Sequence, residues 1–307
     1  MNILLGFDDV QVAALADPAL ERARELAARC GANAYSEPGD MLDNERLDAV
    51  YVCVPPFGHG ALELELIERG LPFFVEKPLA TDLTTAETIA SAVQAAGLIT
   101  AVGYHWRYLD TVEEAQGLLS ERPARLALGY WLDFTPPPKW WIREQESGGQ
   151  MMEQTTHIFD LARYLVGEVR AVYAAGSRTR RAAFPDADIC DVSTAVLHFT
   201  TGALGNLSST CLLNAPYHIV LHLFSEGSAI ELTEFDLSID TGQGRQLRKA
   251  QVNARALADR DFIDAVWGKP NRIRTPYAEA LKTHRLTVAA TRSANEGCLI
   301  EMEHLYV

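Results

Sequence analysis

Two short motifs in this sequence bring together a cation, a histidine and carboxylates at spacings that suit proton transfer. In the first, Lys77 stands between Glu76 and Pro78, directly after an apolar run at 73–75. Because the residue before a proline favours an extended backbone, we predict that the Lys77 side chain points out of the strand end. An ammonium group there can hydrogen-bond a substrate oxygen and stabilise developing alkoxide charge. A solvated loop lysine is the alternative, and position alone leaves both open.

The second motif is Glu153, His157 and Asp160, which would lie on one helical face at positions i, i+4 and i+7. Histidine can accept a hydroxyl proton near neutral pH, and a neighbouring carboxylate can orient it and raise its basicity. A structural helix histidine and a surface ion pair are the other interpretations. A metal site would need a third ligand that Glu-x-x-x-His lacks, so we predict no metal.

The elements that position Lys77 are two strands and the helix between them. Residues 49–54 and 73–75 are apolar runs that lead into prolines, and residues 58–70 between them have the length of a helix. Strand, helix and strand form a βαβ unit with a right-handed crossover, and ligands bind beyond the carboxyl ends of such strands. We therefore expect Lys77 at a ligand crevice.

Strand and helix alternate through the rest of the first hundred residues. A strand is predicted at 10–16, a helix from 20 to about 31, a second helix at 83–96 and a strand at 99–102. This alternation is typical of a doubly wound α/β domain.

Asp17 follows the predicted strand at 10–16 and would cap the next helix, with Pro18 at the first helical position. Nucleotide-binding folds place an acid there to accept hydrogen bonds from the ribose hydroxyls. Because Pro18 and not a basic residue comes next, the sequence favours NAD over NADP, although Arg22 leaves NADP open.

The first unit of a nucleotide-binding fold is missing from the sequence. Such a fold begins with a strand, a G-x-G-x-x-G turn and a helix whose amino end faces the pyrophosphate. Only nine residues precede Val10, and Gly6 stands alone. Either residues 1–5 are the tail of a helix whose beginning is cut off, or the protein evolved without this element, and we favour truncation. The segment Gly242-Gln243-Gly244 fits a surface turn instead.

Beyond residue 104 the pattern becomes α+β. Helices are predicted at 109–119, 151–166, 259–267 and 276–294, and strands at 124–132, 169–176, 192–199, 203–211, 219–224 and 230–239. Apolar residues alternate with His218, Val220 and His222 in one of these strands, so a sheet with one covered face is expected. We predict a Rossmann-type domain at 1–104, lacking its first βα unit. A domain at 105–307 with a large, open-faced and mostly antiparallel sheet would follow it.

Composition sets wider limits. A chain of 307 residues is longer than the domains that a single hydrophobic core usually stabilises, which favours two domains. The 27 basic and 41 acidic residues give a net charge of −14, which opposes binding to nucleic acid or anionic membranes. The five cysteines show no C-x-x-C pair, and no apolar run approaches the ~20 residues that span a bilayer. We expect a cytoplasmic protein.

Several other side chains could meet a ligand. His59 follows two prolines and could cap its helix or line a cofactor cleft. Four residues could contact a polyhydroxylated substrate by stacking or hydrogen bonding: Tyr104, Arg107, Trp141 and Arg143. Packing at the domain junction explains these four equally well.

These motifs together resemble the glucose-fructose oxidoreductase and inositol dehydrogenase family, Gfo/Idh/MocA. The resemblance follows the whole chain in order: Ala16-Asp17-Pro18, Val54-Pro55-Pro56 with His59, Glu76-Lys77-Pro78, Gly103-Tyr104 with Arg107, and Gly148-Gly149 before Glu153, His157 and Asp160. Glu76-Lys77-Pro78 together with the later histidine motif is the specific part.

The resemblance implies a Rossmann domain, an open-faced sheet domain that supports a homodimer or homotetramer, and NAD(P)-dependent redox chemistry on sugars or cyclitols. By motif, Lys77 would be the catalytic lysine and His157 the proton-transferring residue, with Glu153 where many members have aspartate. The cofactor-binding residues would be Asp17, Pro55, His59, Glu76 and Lys77. Two other hypotheses remain: a cofactor-free sugar-binding or regulatory protein, and a metal-dependent hydrolase or isomerase.

Overall fold

The computed structural model describes residues 1–305 of the chain. Two small parallel sheets make up its first part. One sheet pairs two strands and the other pairs three, in the order β3-β4-β5. The strands are β1 (Ala14–Ala16), β2 (Asn33–Tyr35), β3 (Val50–Val52), β4 (Phe73–Val75) and β5 (Thr100–Val102). Every pair is parallel, which confirms the doubly wound prediction.

Helices connect these strands. They are α1 (Leu20–Ala27), α2 (Pro38–Asn44), α3 (Ala61–Glu68) and α4 (Leu83–Ala96). Helix α4 has the predicted bounds because its sequence marks both ends. The Asp82 carboxylate accepts the Thr85 backbone N–H at 2.8 Å, and Gly97 ends the helix with a left-handed φ of 60°.

The edges of β1 and β3 that do not face β2 and β4 pair with no strand in residues 1–305. The strand predicted at 10–16 is shorter than expected, and only its last three residues pair with β2. Residues 1–5, predicted as a helix tail, form instead a short 3₁₀ turn at Leu4–Gly6. Leu4 is buried and packs, with Phe7, into the same core as Phe262 of the second part of the chain.

A nine-stranded sheet forms the second part, in the order β13-β12-β11-β10-β6-β9-β8-β7-β14. Its strands are β6 (Leu126–Phe134), β7 (Val169–Ser177), β8 (Val192–Phe199), β9 (Leu204–Leu213), β10 (His218–Ser225), β11 (Ser228–Leu232), β12 (Asp236–Asp240), β13 (Arg245–Lys249) and β14 (Ile300–Glu301). Strands β6 and β9 are parallel and every other neighbouring pair is antiparallel, so the predicted mostly antiparallel sheet is confirmed.

One predicted strand of this sheet is wrong. The segment 230–239 is a hairpin of β11 and β12, not a single strand. The Thr233 hydroxyl accepts the backbone N–H groups of Phe235 and Asp236, which stabilises a turn where an extended chain was expected. Gly242 and Gly244, with φ of 83° and 104°, lie in the predicted turn between β12 and β13.

Helices cover one face of the large sheet. The helices of this part of the chain are α5 (Asp110–Glu121), α6 (Glu144–Ser147), α7 (Gln150–Glu153), α8 (Thr156–Val166), α9 (Ala254–Val266) and α10 (Tyr277–Glu296), and of these α5, α7, α8 and α10 contact the sheet. Helix α8 comes so close to β6 that a Cβ on Gly129 would lie 2.5 Å from the Ile158 side chain. The opposite face leaves Leu126, Val192 and Leu204 exposed, so the expectation of an open face is confirmed.

The helix predicted at 151–166 is broken in two. Gln154 and Thr155 lie between α7 and α8, and both of their backbone N–H groups bond to the Gln150 carbonyl. The expectation that Glu153, His157 and Asp160 share one helical face is therefore wrong, because Glu153 ends the first helix and the other two belong to the second.

Candidate active site

Lys77 follows β4 and reaches across to the second part of the chain. Its ammonium group donates to the Glu153 backbone carbonyl at 2.7 Å and to Glu153 Oε1 at 2.9 Å. Both side chains are largely buried, with 14% and 15% of their surface exposed. This contact joins the carboxyl end of a Rossmann-type strand to helix α7, where the sequence placed a ligand crevice.

Glu153 has a second partner. Its other carboxylate oxygen, Oε2, accepts the indole N–H of Trp141 at 2.7 Å. Trp141 is almost fully buried, although it also lines the pocket beside Lys77. The carboxylate is therefore held from both sides, and it fixes the position of the lysine.

Aromatic rings surround His157 on three sides. Trp131 stacks on its imidazole with ring centroids 5.7 Å apart, and Tyr104 and His105 meet it edge-on at 5.9 and 5.3 Å. Nδ1 is buried and has no hydrogen-bond partner in the described part of the chain. The imidazole is therefore packed between rings, while its Nδ1 atom makes no hydrogen bond with any described residue.

The electrostatic surroundings of His157 favour the neutral ring. Burial, followed by the nearby charge of Lys77, holds the pKa of His157 well below its usual value. We expected a neighbouring carboxylate to raise its basicity, and that expectation is wrong. Glu153 is turned to Lys77 by the break before α8, and Asp160 has a different partner.

That partner is Arg107, which was predicted to bind substrate. Its guanidinium bonds both oxygens of Asp160 at 2.7 Å and also reaches Glu279 at 3.2 Å. The side chains of Arg107 and Asp160 are each 2% exposed, so a substrate cannot reach this cation. Burial opposes the charge, but the two carboxylates still raise the pKa of Arg107 above its usual value.

Two further substrate-site predictions also need correction. Tyr104 is buried, and its hydroxyl shares a 2.8 Å hydrogen bond with Thr156, so only the ring edge meets His157. Arg143 donates to the Asp186 backbone carbonyl at 2.6 Å and does not line the pocket. Of the four predicted substrate contacts other than His157, Trp141 alone lines the cavity.

The cavity between the two parts of the chain has a volume of about 320 Å³. Its lining consists of Lys77, Trp131, Pro136, Pro138, Trp140, Trp141, Glu153, Gln154 and His157. Flat apolar surfaces dominate, and the polar groups are concentrated around Lys77 and His157. Our sequence analysis missed Trp131 and Gln154. Trp131 follows Ala127 and Gly129 on the covered side of β6, and this alternation could have indicated it.

The predicted cofactor residues lie at or near the carboxyl ends of the Rossmann strands, with one correction each for Asp17 and His59. The Asp17 carboxylate accepts the Ala19 backbone N–H at 2.8 Å and an Arg22 N–H at 3.2 Å. Helix α1 begins at Leu20, so the prediction that Asp17 caps it directly and that Pro18 opens it is wrong. The Asp17 side chain is 26% exposed, which leaves it accessible to a hydroxyl donor.

His59 is buried against the start of α3. Its Nδ1 lies 2.5 Å from Glu63 Oε1, both side chains are fully buried, and the other Glu63 oxygen accepts the Gly60 N–H. The prediction that His59 lines a cofactor cleft is therefore wrong. It stabilises the start of α3 through Glu63.

Glu76 and Pro55 follow β4 and β3. The Glu76 carboxylate packs against Gly103, where an added Cβ would lie 2.6 Å from Oε2. Pro55 is half-buried at the start of the turn that leads to α3. Glu76 and Pro55, like Asp17, therefore lie just beyond the carboxyl ends of parallel strands, where dinucleotide-binding folds hold their ligand.

Comparison with known proteins agrees with this geometry. Residues 2–104 match the profile of an oxidoreductase family with an NAD-binding Rossmann fold, and residues 123–231 match the GFO/IDH/MocA C-terminal domain. Myo-inositol 2-dehydrogenase of Thermotoga maritima is 30% identical over 66% of this chain. An NAD(+)-dependent scyllo-inositol 2-dehydrogenase of Bacillus subtilis is 26% identical over 68% of it.

These alignments span 62% of each of the two relatives, which is less than two thirds of their length. Among solved structures, a levoglucosan dehydrogenase in complex with NADH and levoglucosan has the same fold, with a TM-score of 0.86 at 19% identity. That superposition covers 98% of this chain and 94% of the other. In residues 1–305, no helix combines the length and apolar character needed to cross a membrane.

Proposed function

This chain belongs to the Gfo/Idh/MocA family of oxidoreductases, and from that premise we propose that it transfers a hydride between NAD and a neutral sugar, cyclitol or related polyol. Its first domain is of the NAD-binding Rossmann type. NADP remains an alternative cofactor because Arg22 lies within 3.2 Å of Asp17 and is mostly exposed.

The observation that carries the proposal is the meeting of Lys77 and His157 in one cavity. Lys77 is fixed by two hydrogen bonds to Glu153, and His157 lines the same cavity with its ring held by Trp131. A fixed cation and a neutral imidazole are the two groups that an alcohol oxidation needs.

The residues divide the chemistry between them. His157 is neutral near pH 7 because its pKa is depressed, so it can accept the proton of a substrate hydroxyl. Lys77 stabilises the negative charge that develops on the same oxygen. Nicotinamide, when bound, supplies the hydride acceptor. Asp17, Pro55 and Glu76 are the residues that we propose to hold the dinucleotide.

The charges of the pocket favour a neutral substrate. Among its described lining residues Lys77 is the one cation, and it is already paired with Glu153. Arg143 is bonded elsewhere, to Asp186. A carboxylate or phosphate would therefore find no free cation, whereas the half-buried Trp140 offers an aromatic surface to the C–H side of a sugar ring. The named activities of the relatives, on inositols and levoglucosan, support the same substrate class.

The first experiment is calorimetric titration of NAD, NADH, NADP and NADPH into the purified chain, followed by a screen of polyol oxidation. We expect NAD binding, and faster turnover of a neutral hexose or cyclitol than of the matched uronic acid. Lys77→Met and His157→Asn should each lower kcat by a factor of about 100 or more. Lys139→Met removes an exposed lysine of the nearby aromatic loop and should leave kcat unchanged. Full activity in the Lys77 variant would refute the assignment.

A cofactor-free sugar-binding protein is the second candidate. The observation that favours it is the cavity lining, in which tryptophan and proline side chains can hold a polyol ring without a dinucleotide. This function predicts that polyols bind in the cavity with the same affinity whether NADH is present or not. A folded chain that binds polyols and no nicotinamide dinucleotide would establish it over the dehydrogenase.

We also propose that the chain forms a homodimer or homotetramer through the uncovered face of the nine-stranded sheet. We further propose that it works in the cytoplasm. That face presents several large apolar side chains: Leu126, Tyr173, Val192, Leu204 and Leu212. The five cysteines are unpaired, as a reducing compartment requires. Sedimentation of the wild type and of Leu204→Asp tests the assembly, since the charged variant should dissociate.

A further inference from the structure

A second histidine and a glutamate form a polar path that leads from His157 towards solvent. The His105 ring meets His157 edge-on with centroids 5.3 Å apart. His105 Nε2 lies 3.2 Å from Glu234 Oε1, and that oxygen also pairs with Arg255 at 2.6 Å. The side chain of Arg255 is 57% exposed, so the path ends at the surface.

The surroundings of His157 make it a poor place to keep a proton. The ring is buried, no carboxylate contacts it, and Lys77 adds a like charge nearby. Nδ1 has no partner in the described residues, so a proton there has no acceptor on α8 itself. A base in this position must pass its proton on before the next turnover.

We propose that His105 and Glu234 carry this proton between His157 and solvent, an inference that rests on the proposed dehydrogenase function. In the oxidation direction the substrate O–H bond breaks and its proton moves to His157, while the carbinol C–H electrons leave as hydride to nicotinamide and a C=O bond forms. His157 then returns to neutral by giving the proton to His105. Reduction of the ketone uses the same path in reverse.

The hydrogen bond to Glu234 determines which nitrogen of His105 accepts a proton from His157 and which nitrogen donates one to Glu234. Because Nε2 faces the carboxylate, Nδ1 is the nitrogen left to receive the proton, and a water molecule must bridge the two rings because no hydrogen bond joins them directly. The Nε2 proton passes to Glu234 and from there to water. Glu234 stays ionised, because its hydrogen bond with His105 and the charge of Arg255 lower its pKa, so it holds the proton only briefly before water takes it.

A purely structural role is the competing explanation, because Glu234 lies in the turn between β11 and β12 and His105 could simply pin that turn. Two variants separate the explanations. His105→Gln retains an N–H donor for Glu234 but cannot relay a proton, and His105→Phe keeps a ring but loses both nitrogens. A relay predicts that both variants are slow, whereas a structural role predicts that His105→Gln is active.

The readout is kcat in dilute buffer across pH 6 to 9. We expect a loss of about tenfold or more in both His105 variants, with NAD affinity unchanged. Added imidazole should restore the rate in proportion to its concentration, because it replaces the missing carrier. Glu234→Gln should show a smaller loss, and Glu226→Gln, an exposed glutamate in the neighbouring β10–β11 turn, should show none. Wild-type kcat in His105→Gln would overturn the relay.

A separate measurement keeps this test independent of turnover. If the wild type transfers no hydride to any nicotinamide cofactor, the proposed function fails. NMR titration of the histidine rings then still tests the contact between His157 and His105. His157 should titrate well below the usual histidine pKa, because burial and the charges of Lys77, His105 and Arg255 disfavour its protonation. In His105→Gln the pKa of His157 should rise because a like charge is lost. An unchanged titration of His157 would refute the relay.

Discussion

Two buried polar clusters form around helix α8, one around Asp160 and one around His157, which lie one helical turn apart. They differ in how fully their polar atoms are hydrogen-bonded. The saturated cluster consists of Arg107, Asp160, Arg163, Glu279 and Thr283. The open cluster consists of Lys77, Trp141, Glu153, His157 and His105. In the saturated cluster Asp160 accepts two bonds from Arg107 and one from Thr283 at 2.7 Å, and Arg163 pairs with Glu279. In the open cluster the Nδ1 atom of His157 has no described partner.

Burial does not distinguish the two clusters, since Asp160 is 1% exposed and His157 is 7% exposed. What differs is whether the α8 side chain in each cluster has all its polar atoms bonded, as Asp160 does and His157 does not. A buried charge with all its partners fixes the helix against its neighbours, and a buried imidazole without one stays available for chemistry. The saturated cluster therefore fixes α8 in place, and this holds His157 of the open cluster at the cavity.

The largest effect should come from breaking the saturated cluster. Asp160→Asn leaves Arg107 buried with half of its compensation, so we expect the free energy of unfolding to fall by about 3–5 kcal/mol. His157→Asn removes no charge pair and should cost less than about 1 kcal/mol. Urea unfolding followed by circular dichroism measures both. Asp43→Asn is the control, because Asp43 pairs with Arg69 while 66% exposed, and should cost under about 1 kcal/mol.

Equal losses in Asp160→Asn and His157→Asn would contradict the division between the clusters. So would a large loss in Asp43→Asn, since the cost of a broken pair would then not depend on burial.

A second prediction uses pH, because an uncompensated buried histidine should make stability sensitive to acid. His284 on α10 is of the open type: it is fully buried, its Nδ1 has no described partner, and burial lowers its pKa to about 4. The folded chain then binds fewer protons at this site than the unfolded chain between about pH 6.5 and 4, so stability rises with pH there. Lowering the pH from 7 to 5 should cost about 2 kcal/mol.

Urea unfolding at several pH values tests this second prediction in the wild type and in His284→Gln. The variant should have a flatter dependence, since glutamine can still donate to the Asp82 carbonyl but does not titrate. The same slope in both proteins would mean that other groups control the acid sensitivity. Glu279 should contribute to this slope only near and below its usual pKa of 4.5, because burial is outweighed by the charges of Lys282, Arg163 and Arg107, which lower its pKa in the folded chain.

Much of this fold follows from local sequence signals, and β4 and α4 have the predicted bounds. Beta-branched and aromatic runs that end at proline, and a helix marked by Asp82 and Gly97, are decided within a few residues. The failures at 151–166 and 230–239 have one cause in common. In each, a polar group makes a local hydrogen bond, at Gln150 and at Thr233, that interrupts an otherwise regular apolar pattern.

The candidate site was harder to predict, because its contacts join distant residues. Lys77 and His157 could be proposed from motifs, whereas the pairing of Lys77 with Glu153 spans 76 positions and no local pattern encodes it. Arg107 looked like a substrate-binding cation until its partners, Asp160 and Glu279, were known. Whether a buried polar residue is saturated or open depends on the tertiary structure.

The third prediction tests whether Trp141 belongs to the open cluster as a positioning residue. Trp141→Phe keeps an aromatic ring in the pocket but removes the 2.7 Å bond to Glu153, which should cost about 1–2 kcal/mol of stability. The freed carboxylate should hold Lys77 less firmly, so kcat should fall while polyol affinity changes little. Trp267→Phe, at an exposed tryptophan outside the cavity, is the control. A loss of affinity without a change in kcat would mean that Trp141 acts as a substrate platform instead.

The smallest effect should come from Arg143, which lies near the open cluster but is outside it. Its guanidinium is bonded to the Asp186 carbonyl and not to the cavity. Arg143→Ala should therefore change the free energy of unfolding by no more than about 0.5 kcal/mol, and should leave the affinity for neutral polyols unchanged. Calorimetric titration of a polyol into both proteins measures this. A clear loss of affinity would mean that this arginine turns inward when substrate binds, and the open cluster would then contain a free cation suited to acidic sugars.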